Sequence, residues 1–213
     1  LALWASRREQ SPGAAAVETG LLLGASIAAK QVTALHPILW IGRRRTATIL
    51  LLVAVVPALT LLPYASEGGH LVRSLLMYGS VPASYGFSEL ALFDARFVLP
   101  VSLLALAASL AAAWWLRGSA LERGALGLFL AILLFAPGMG SQYLLWPVAL
   151  GSLYGGVRFL FYSAAATLWV VGGSFAWPGS GRWMGQLTWL AVILWTIGFF
   201  REEWASRRRA SPA

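Results

Sequence analysis

Phe97-Val-Leu-Pro-Val-Ser-Leu-Leu-Ala-Leu-Ala-Ala-Ser-Leu-Ala-Ala-Ala-Trp-Trp-Leu116 runs for twenty residues without a charge. A helix rising 1.5 Å per residue needs about 20 apolar residues to cross hydrocarbon roughly 30 Å thick. Inside lipid the backbone finds no water, so a spanning segment is either a helix or a strand of a closed barrel. Barrel strands alternate polar and apolar over about ten residues. This run is apolar throughout and about twice that length, so it predicts a transmembrane helix.

Blocks of the same kind lie on both sides. Upstream, Ala47–Leu62 is uncharged and ends at Pro63, and a polar, glycine-containing stretch from Tyr64 to Arg96 separates it from the opening run. Before it, Gly20–Ile41 is apolar but broken by Lys30 and Gln31, carries His36-Pro37, and is closed by Arg43-Arg44-Arg45. Downstream come Leu121–Phe135, the breaker Ala136-Pro137-Gly138-Met139-Gly140, the short block Gln142–Leu153, then Phe159–Trp177, Gln186–Phe200 and a tail, Arg201–Ala213. The fold class expected is all-α: a polytopic transmembrane helical bundle in a single domain, with a loop over residues 64–96 and a tail over 201–213.

Composition agrees. Hydrophobic residues make up 59% of the 213 positions and charged residues 11%, against about 25% charged in an ordinary soluble domain. The net charge of +8 comes from arginines set between apolar blocks, where membrane orientation explains them, so no nucleic acid partner is expected. The absence of cysteine excludes disulfides, thiolate metal sites and cysteine nucleophiles. The chain starts at Leu1, and Leu1–Ala5 reads as the end of a hydrophobic segment rather than a signal peptide. The expectation is therefore an N-terminally truncated chain.

Cytoplasmic loops carry an excess of arginine and lysine. With the C-terminal tail in the cytoplasm, Arg158, Arg117, Arg123 and Arg43–Arg45 also fall inside. The Tyr64–Arg96 loop, the Pro137–Ser141 turn and Arg182 fall outside. A half-helix hairpin folded near Lys30, with arms of about 10–13 residues, keeps Arg7 and Arg8 on the arginine-rich side. Trp40, Trp114, Trp115, Trp146, Trp177, Trp183 and Trp204 lie near block ends, as an aromatic belt requires, while Trp169, Trp189 and Trp195 sit deeper and are read as packing residues.

The polar groups then gather on the outer side. Lys30 is an ionisable group at membrane depth, a functional candidate by position, though snorkelling to the interface accounts for it equally. The outer loop holds Glu67, His70, Arg73, Tyr78, Tyr85, Glu89, Asp94 and Arg96. Carboxylates there can act as bases and arginines can grip phosphate, and the same residues suit a solvated loop. Gln142 and Tyr143, after the Pro137-Gly138 break and one turn before Trp146, present groups suited to a sugar or polar head group, or cap a tight helical hairpin. The two histidines stand apart, so no metal spacing exists, and there is no P-loop or Gly-x-Ser-x-Gly elbow. No catalytic residue and no cofactor are assigned.

The order of these strings resembles the C-terminal half of bacterial GT-C fold glycosyltransferases, the polyprenyl-phosphate-sugar-dependent hexosyl- and mannosyltransferases. The residues that carry it are Gly20-Leu-Leu-Leu-Gly24 through Lys30 and His36-Pro37 to Arg43-Arg44-Arg45, the Ala47–Pro63 helix, the loop with Tyr78 and Tyr85, and Pro137-Gly138…Gln142-Tyr143-Leu-Leu-Trp146. The resemblance implies a GT-C-like, multi-pass enzyme of the bacterial plasma membrane with a cytoplasmic C-terminus. It would transfer a hexose from a lipid-linked donor, a polyprenyl phosphate, to an acceptor hydroxyl on the extracytoplasmic face. The catalytic carboxylate would lie upstream of this sequence. Lys30, Gln142 and Tyr143 match the motif positions, and Lys30 with Arg73 or Arg96 would stabilise the leaving phosphate, with Glu89 as a further substrate-binding candidate. The alternative is a transporter or lipid flippase, for which broken helices and an intramembrane lysine are also expected, although no repeat symmetry is present. Membrane lipids are partners on either reading.

Overall fold

The computed structural model describes residues 12–29, 31–43, 45–69, 85–136, 141–174 and 180–210. Among these the chain is helical, with no strand. The α-helices are α1 (Pro12–Ala29), α2 (Thr46–Leu61), α3 (Ser88–Phe93), α4 (Val98–Leu116), α5 (Leu121–Phe135), α6 (Trp146–Gly151), α7 (Val157–Ser174) and α8 (Ser180–Ala210). Segments of 3₁₀ helix cover Gln31–Trp40, Leu62–Glu67, Ala95–Phe97 and Ser141–Leu145. Among the described residues three stretches are long and apolar enough to cross a membrane: Thr46–Ser66, Ala95–Leu116 and Gly181–Arg209. Gly13–Ile27 and Val157–Gly172 are apolar but shorter.

Leu51 is 63% exposed and Leu59 61% on α2, and Leu99 is 67% exposed on α4. Leucine rows turned outward at this level are rare on a water-soluble monomer. They are compatible with an integral membrane protein, where lipid replaces water around the helices.

The helices group into two compact units. The first contains α1, the 3₁₀ segment Gln31–Trp40, α2 and the α4–α5 junction, Ala113–Ala125. Gly20 and Gly24, one turn apart, allow α1 to lie directly on α2. A Cβ on Gly20 would stand 2.8 Å from Leu52 Cβ, and one on Gly24 2.7 Å from Val56 Cβ. This small-xxx-small spacing lets two backbones approach where no hydrophobic force drives them together. The Gly20 boundary expected from sequence moves to Pro12, because proline is tolerated in a first helical turn. The α-helix ends at Ala29 and 3₁₀ helix runs from Gln31, and Ser26 Oγ donates to Thr33 Oγ1 at 3.3 Å.

Arg43 closes this unit by gathering carbonyls. Its Nε donates to Leu39 O at 2.9 Å and its Nη2 to Ser119 O at 2.5 Å. Thr46 Oγ1 meets Trp40 O at 2.7 Å and Arg43 O at 2.5 Å, and Arg45 adopts a left-handed φ of 61° just before α2. The last carbonyls of a helix have no intrahelical partner, so these side chains make the tight turn into α2 affordable.

The second unit contains α3, most of α4 and α5, and α6 to α8. Leu126, Leu128, Leu130 and Leu133 of α5 are all essentially fully buried. Buried leucines spread around a helix mark it as internal, which allows α5, at about 22 Å, to be shorter than a bilayer. Along α7 and α8, Thr188 Oγ1 reaches Ala165 O at 3.1 Å and Met184 O at 2.9 Å. Tyr162 Oη donates to Leu144 O at 2.7 Å, and Trp189 Nε1 to Leu134 O at 2.9 Å. Trp195 packs against Tyr162 and Phe159, with ring centroids 5.2 and 5.7 Å away.

Candidate functional site

The polar cluster of the second unit forms around Glu89, in the first turn of α3. Arg182 Nε donates to Glu89 Oε1 at 2.5 Å, and Gln186 Nε2 donates to Glu89 Oε2. Arg182 and Gln186 are i and i+4 on the opening turns of α8, so helical geometry places them on one face. The Glu89 side chain is 14% exposed and that of Arg182 64%. The carboxylate is therefore sheltered while the guanidinium reaches outward.

Aromatic rings sit in the residues just before Glu89. Tyr85 stacks on Trp169 of α7, with centroids 5.5 Å apart and planes 2° from parallel. Phe87 stacks on Phe135 at 5.8 Å and meets Trp189 edge-on at 5.5 Å. Gly86, with a φ of 50°, lies directly against the Trp189 indole, so a side chain there would collide with the ring. Glycine is what lets Tyr85 and Phe87 both turn inward at this corner. A carboxylate, an amide, an exposed guanidinium and adjoining aromatic faces are the groups that bind hydroxyl-rich, phosphate-bearing molecules.

Of the six residues expected from sequence, Glu89, Arg96 and Tyr143 have described side chains. Glu89 does acquire partners. Arg96 does not join them: it is exposed and folds back on Asp94, with Nη2–Oδ2 at 2.6 Å and Nε–Oδ2 at 2.8 Å. Asp94 Oδ1 also accepts from the Arg96 backbone N–H at 2.9 Å, which caps the turn before α4. The Arg96 side chain, followed by its backbone N–H, holds the Asp94 carboxyl below its ordinary value. Tyr143 lies in the 3₁₀ turn Ser141–Leu145, its ring 4.5 Å from Trp146, which in turn packs on Phe129 at 5.5 Å. Gln142 belongs to the same turn, but its side chain lies outside the described residues, as do Lys30 and Arg73 altogether.

Arg182 and Gln186 were not singled out from sequence as site residues. The signal available was their i, i+4 spacing at the start of an apolar helix, on the same expected side of the membrane as the Tyr64–Arg96 loop. No group of three or more potential metal ligands occurs among the described residues. No family model, no curated protein and no solved structure matches this chain.

Proposed function

We propose that the chain is part of an integral membrane glycosyltransferase that moves a hexose from a polyprenyl-phosphate carrier to an acceptor hydroxyl on the extracytoplasmic face. The observation that supports it best is the Glu89–Arg182–Gln186 cluster at the opening end of an apolar helix, beside stacked aromatic rings. A lipid-linked sugar presents an apolar tail, an anionic phosphate and a ring of hydroxyls at one depth. The apolar outer faces of the helices match the tail. Arg182 supplies a planar donor fork for phosphate oxygens, and Glu89 and Gln186 supply acceptor and donor atoms for hydroxyls. In this scheme Glu89 orients Arg182. The order of the strings from Gly20 to Trp146 carries the specific resemblance to GT-C enzymes, and Lys30 and Arg73 stay candidates for the leaving phosphate.

The test is binding of a radiolabelled polyprenyl-phosphate hexose to the protein in nanodiscs, together with transfer by the complete protein to an added acceptor. Loss of one charge-assisted hydrogen bond is worth about 1.5–3 kcal/mol, so R182Q should weaken donor binding roughly ten- to a hundredfold. A wild-type protein that binds no such donor, or an R182Q variant that binds it equally well, would sink the proposal.

The change from α-helix ending at Ala29 to 3₁₀ helix starting at Gln31 favours one rival reading, a transporter or lipid flippase, because irregular helices line transport sites. Solute or lipid flux through proteoliposomes that is abolished by K30A, with no sugar transfer by the complete protein, would select that rival.

A further inference from the structure

Helix α8 continues well past the point where its apolar stretch ends. Arg182 and Arg201 bound an uncharged run and stand nineteen positions apart, about 28 Å along the axis. That is close to the roughly 30 Å thickness of hydrocarbon, so one arginine reaches each edge. The helix extends unbroken to Ala210. Trp204 then lies about 4–5 Å beyond Arg201 and Arg207–Arg209 about 9–12 Å beyond it, a span that covers the headgroup layer.

The side chains in this extension are arranged by charge. Glu202 pairs with Arg158 at the start of α7, Nη1–Oε1 at 2.6 Å. Glu203 is 5% exposed and pairs with Arg207 at 3.3 Å. Both carboxylates are thus engaged by arginines, while Arg201, Arg208 and Arg209 are exposed. Arg201, Trp204 and Arg208 share one face, at i, i+3 and i+7. The Arg208 guanidinium lies 3.6 Å over the Trp204 ring, and Trp204 is 51% exposed. Stacking on an indole uses the face of a guanidinium and leaves its N–H edge directed sideways. An exposed tryptophan bearing an arginine suits a layer that is apolar on one side and anionic on the other. Arg117 repeats the arrangement at the end of α4, 3.6 Å over Trp114, which is 54% exposed.

We infer that the last turns of α8, through Arg201, Trp204, Arg208 and Arg209, form a docking surface for the anionic phosphodiester headgroups of membrane lipids. The surface is separate from the Glu89 cluster and does not depend on the transferase proposal. It rests on the membrane placement of α8 and on charge complementarity at the depth where lipid phosphates lie.

The experiment reconstitutes the full chain in mixed phosphatidylglycerol and phosphatidylcholine and measures by mass spectrometry which lipid remains bound after detergent extraction. Wild type should retain phosphatidylglycerol preferentially, and that preference should shrink between about 50 and 500 mM salt as the headgroup attraction is screened. The triple variant R201Q/R208Q/R209Q should lose at least about fivefold of the preference, whereas R201K/R208K/R209K should keep most of it. No preference in wild type, or one insensitive to salt, would overturn the inference without recourse to any variant. Lipid retention unchanged in the glutamine variant, with loss of binding to a single-stranded oligonucleotide instead, would assign the arginines to nucleic acid and overturn it as well.

Discussion

Tyr85 and Tyr162 are both buried to 0% exposure, yet their hydroxyls are treated differently. Tyr162 Oη has Leu144 O at 2.7 Å, whereas Tyr85 Oη has no partner among the described residues. Removing a satisfied hydroxyl loses its bond and strands the carbonyl, which costs about 0.5–1.5 kcal/mol. Removing an unsatisfied one deletes a desolvated dipole. Tyr162→Phe should therefore lower unfolding stability in bicelles by about 1 kcal/mol, and Tyr85→Phe should leave it unchanged or raise it. A destabilised Tyr85→Phe protein would mean that the hydroxyl has a partner in the folded state. Residue identity in the sequence showed Tyr85 and Glu89 as polar groups in an apolar chain, but not which of them would be paired. The ion pair of Glu89 joins positions 93 apart, and no local pattern announces such a contact. Arg96 shows the converse. Its partner Asp94 is two residues away, so this pairing is made within one local turn.

At the scale of an element, helix existence was legible because uncharged runs long enough for lipid are helices by necessity. The ends were less so. The blocks expected at 47–62, 97–116 and 121–135 correspond closely to α2, α4 and α5, while Gln186–Phe200 grows into Ser180–Ala210, since charged residues that stop a span do not stop a helix. The Gly20…Gly24 pair was read through resemblance, and its physical role is the close contact of α1 with α2. A methyl group on Gly24 would press on the β-branched Val56, whose Cβ cannot swing away. Gly24→Ala should cost about 1–3 kcal/mol by overpacking. Gly68→Ala, with nothing within 4 Å of the new carbon, should stay within about 0.5 kcal/mol of wild type. Equal effects at the two positions would refute the packing role. The Asp94 cap supplies a pH test at the start of α4. Its carboxyl is held low by Arg96, so its stabilisation is fully present above the ordinary aspartate pKa of about 3.9. It fades as pH falls through the lower folded value. Hydrogen exchange at the Arg96 and Phe97 amides should accelerate relative to the intrinsic rate between pH 5 and acid conditions, and D94N should remove that dependence while starting from the loosened state.

For the whole molecule, the decisive quantity is the parity of membrane crossings. The arginine distribution leads one to expect residues 64–96 outside and the C-terminal tail inside, an expectation that calls for an odd number of crossings between them. Among the described residues of that interval, two stretches, Ala95–Leu116 and Gly181–Arg209, are long and apolar enough to cross unaided. Two crossings alone would leave loop and tail on the same side. On that expectation the remaining change of side falls, among the described residues, to the shorter elements: α5, the 3₁₀ turn Ser141–Leu145 with α6, and α7. The buried leucines of α5 show that a helix of about 22 Å need not meet lipid along its whole length. The chain has no cysteine, so single-cysteine variants report the answer without background. Ser66→Cys and Ser206→Cys, both at exposed positions, should differ in labelling by a membrane-impermeant maleimide added to intact cells, Ser66→Cys reacting and Ser206→Cys reacting only after permeabilisation. Ser152→Cys, between α6 and α7 and also exposed, should behave like Ser206→Cys. If Ser66→Cys and Ser206→Cys label alike, the number of crossings between them is even. The Glu89 cluster at one end of α8 and the arginine-rich turns at the other would then have to be reassigned to the two faces from the start.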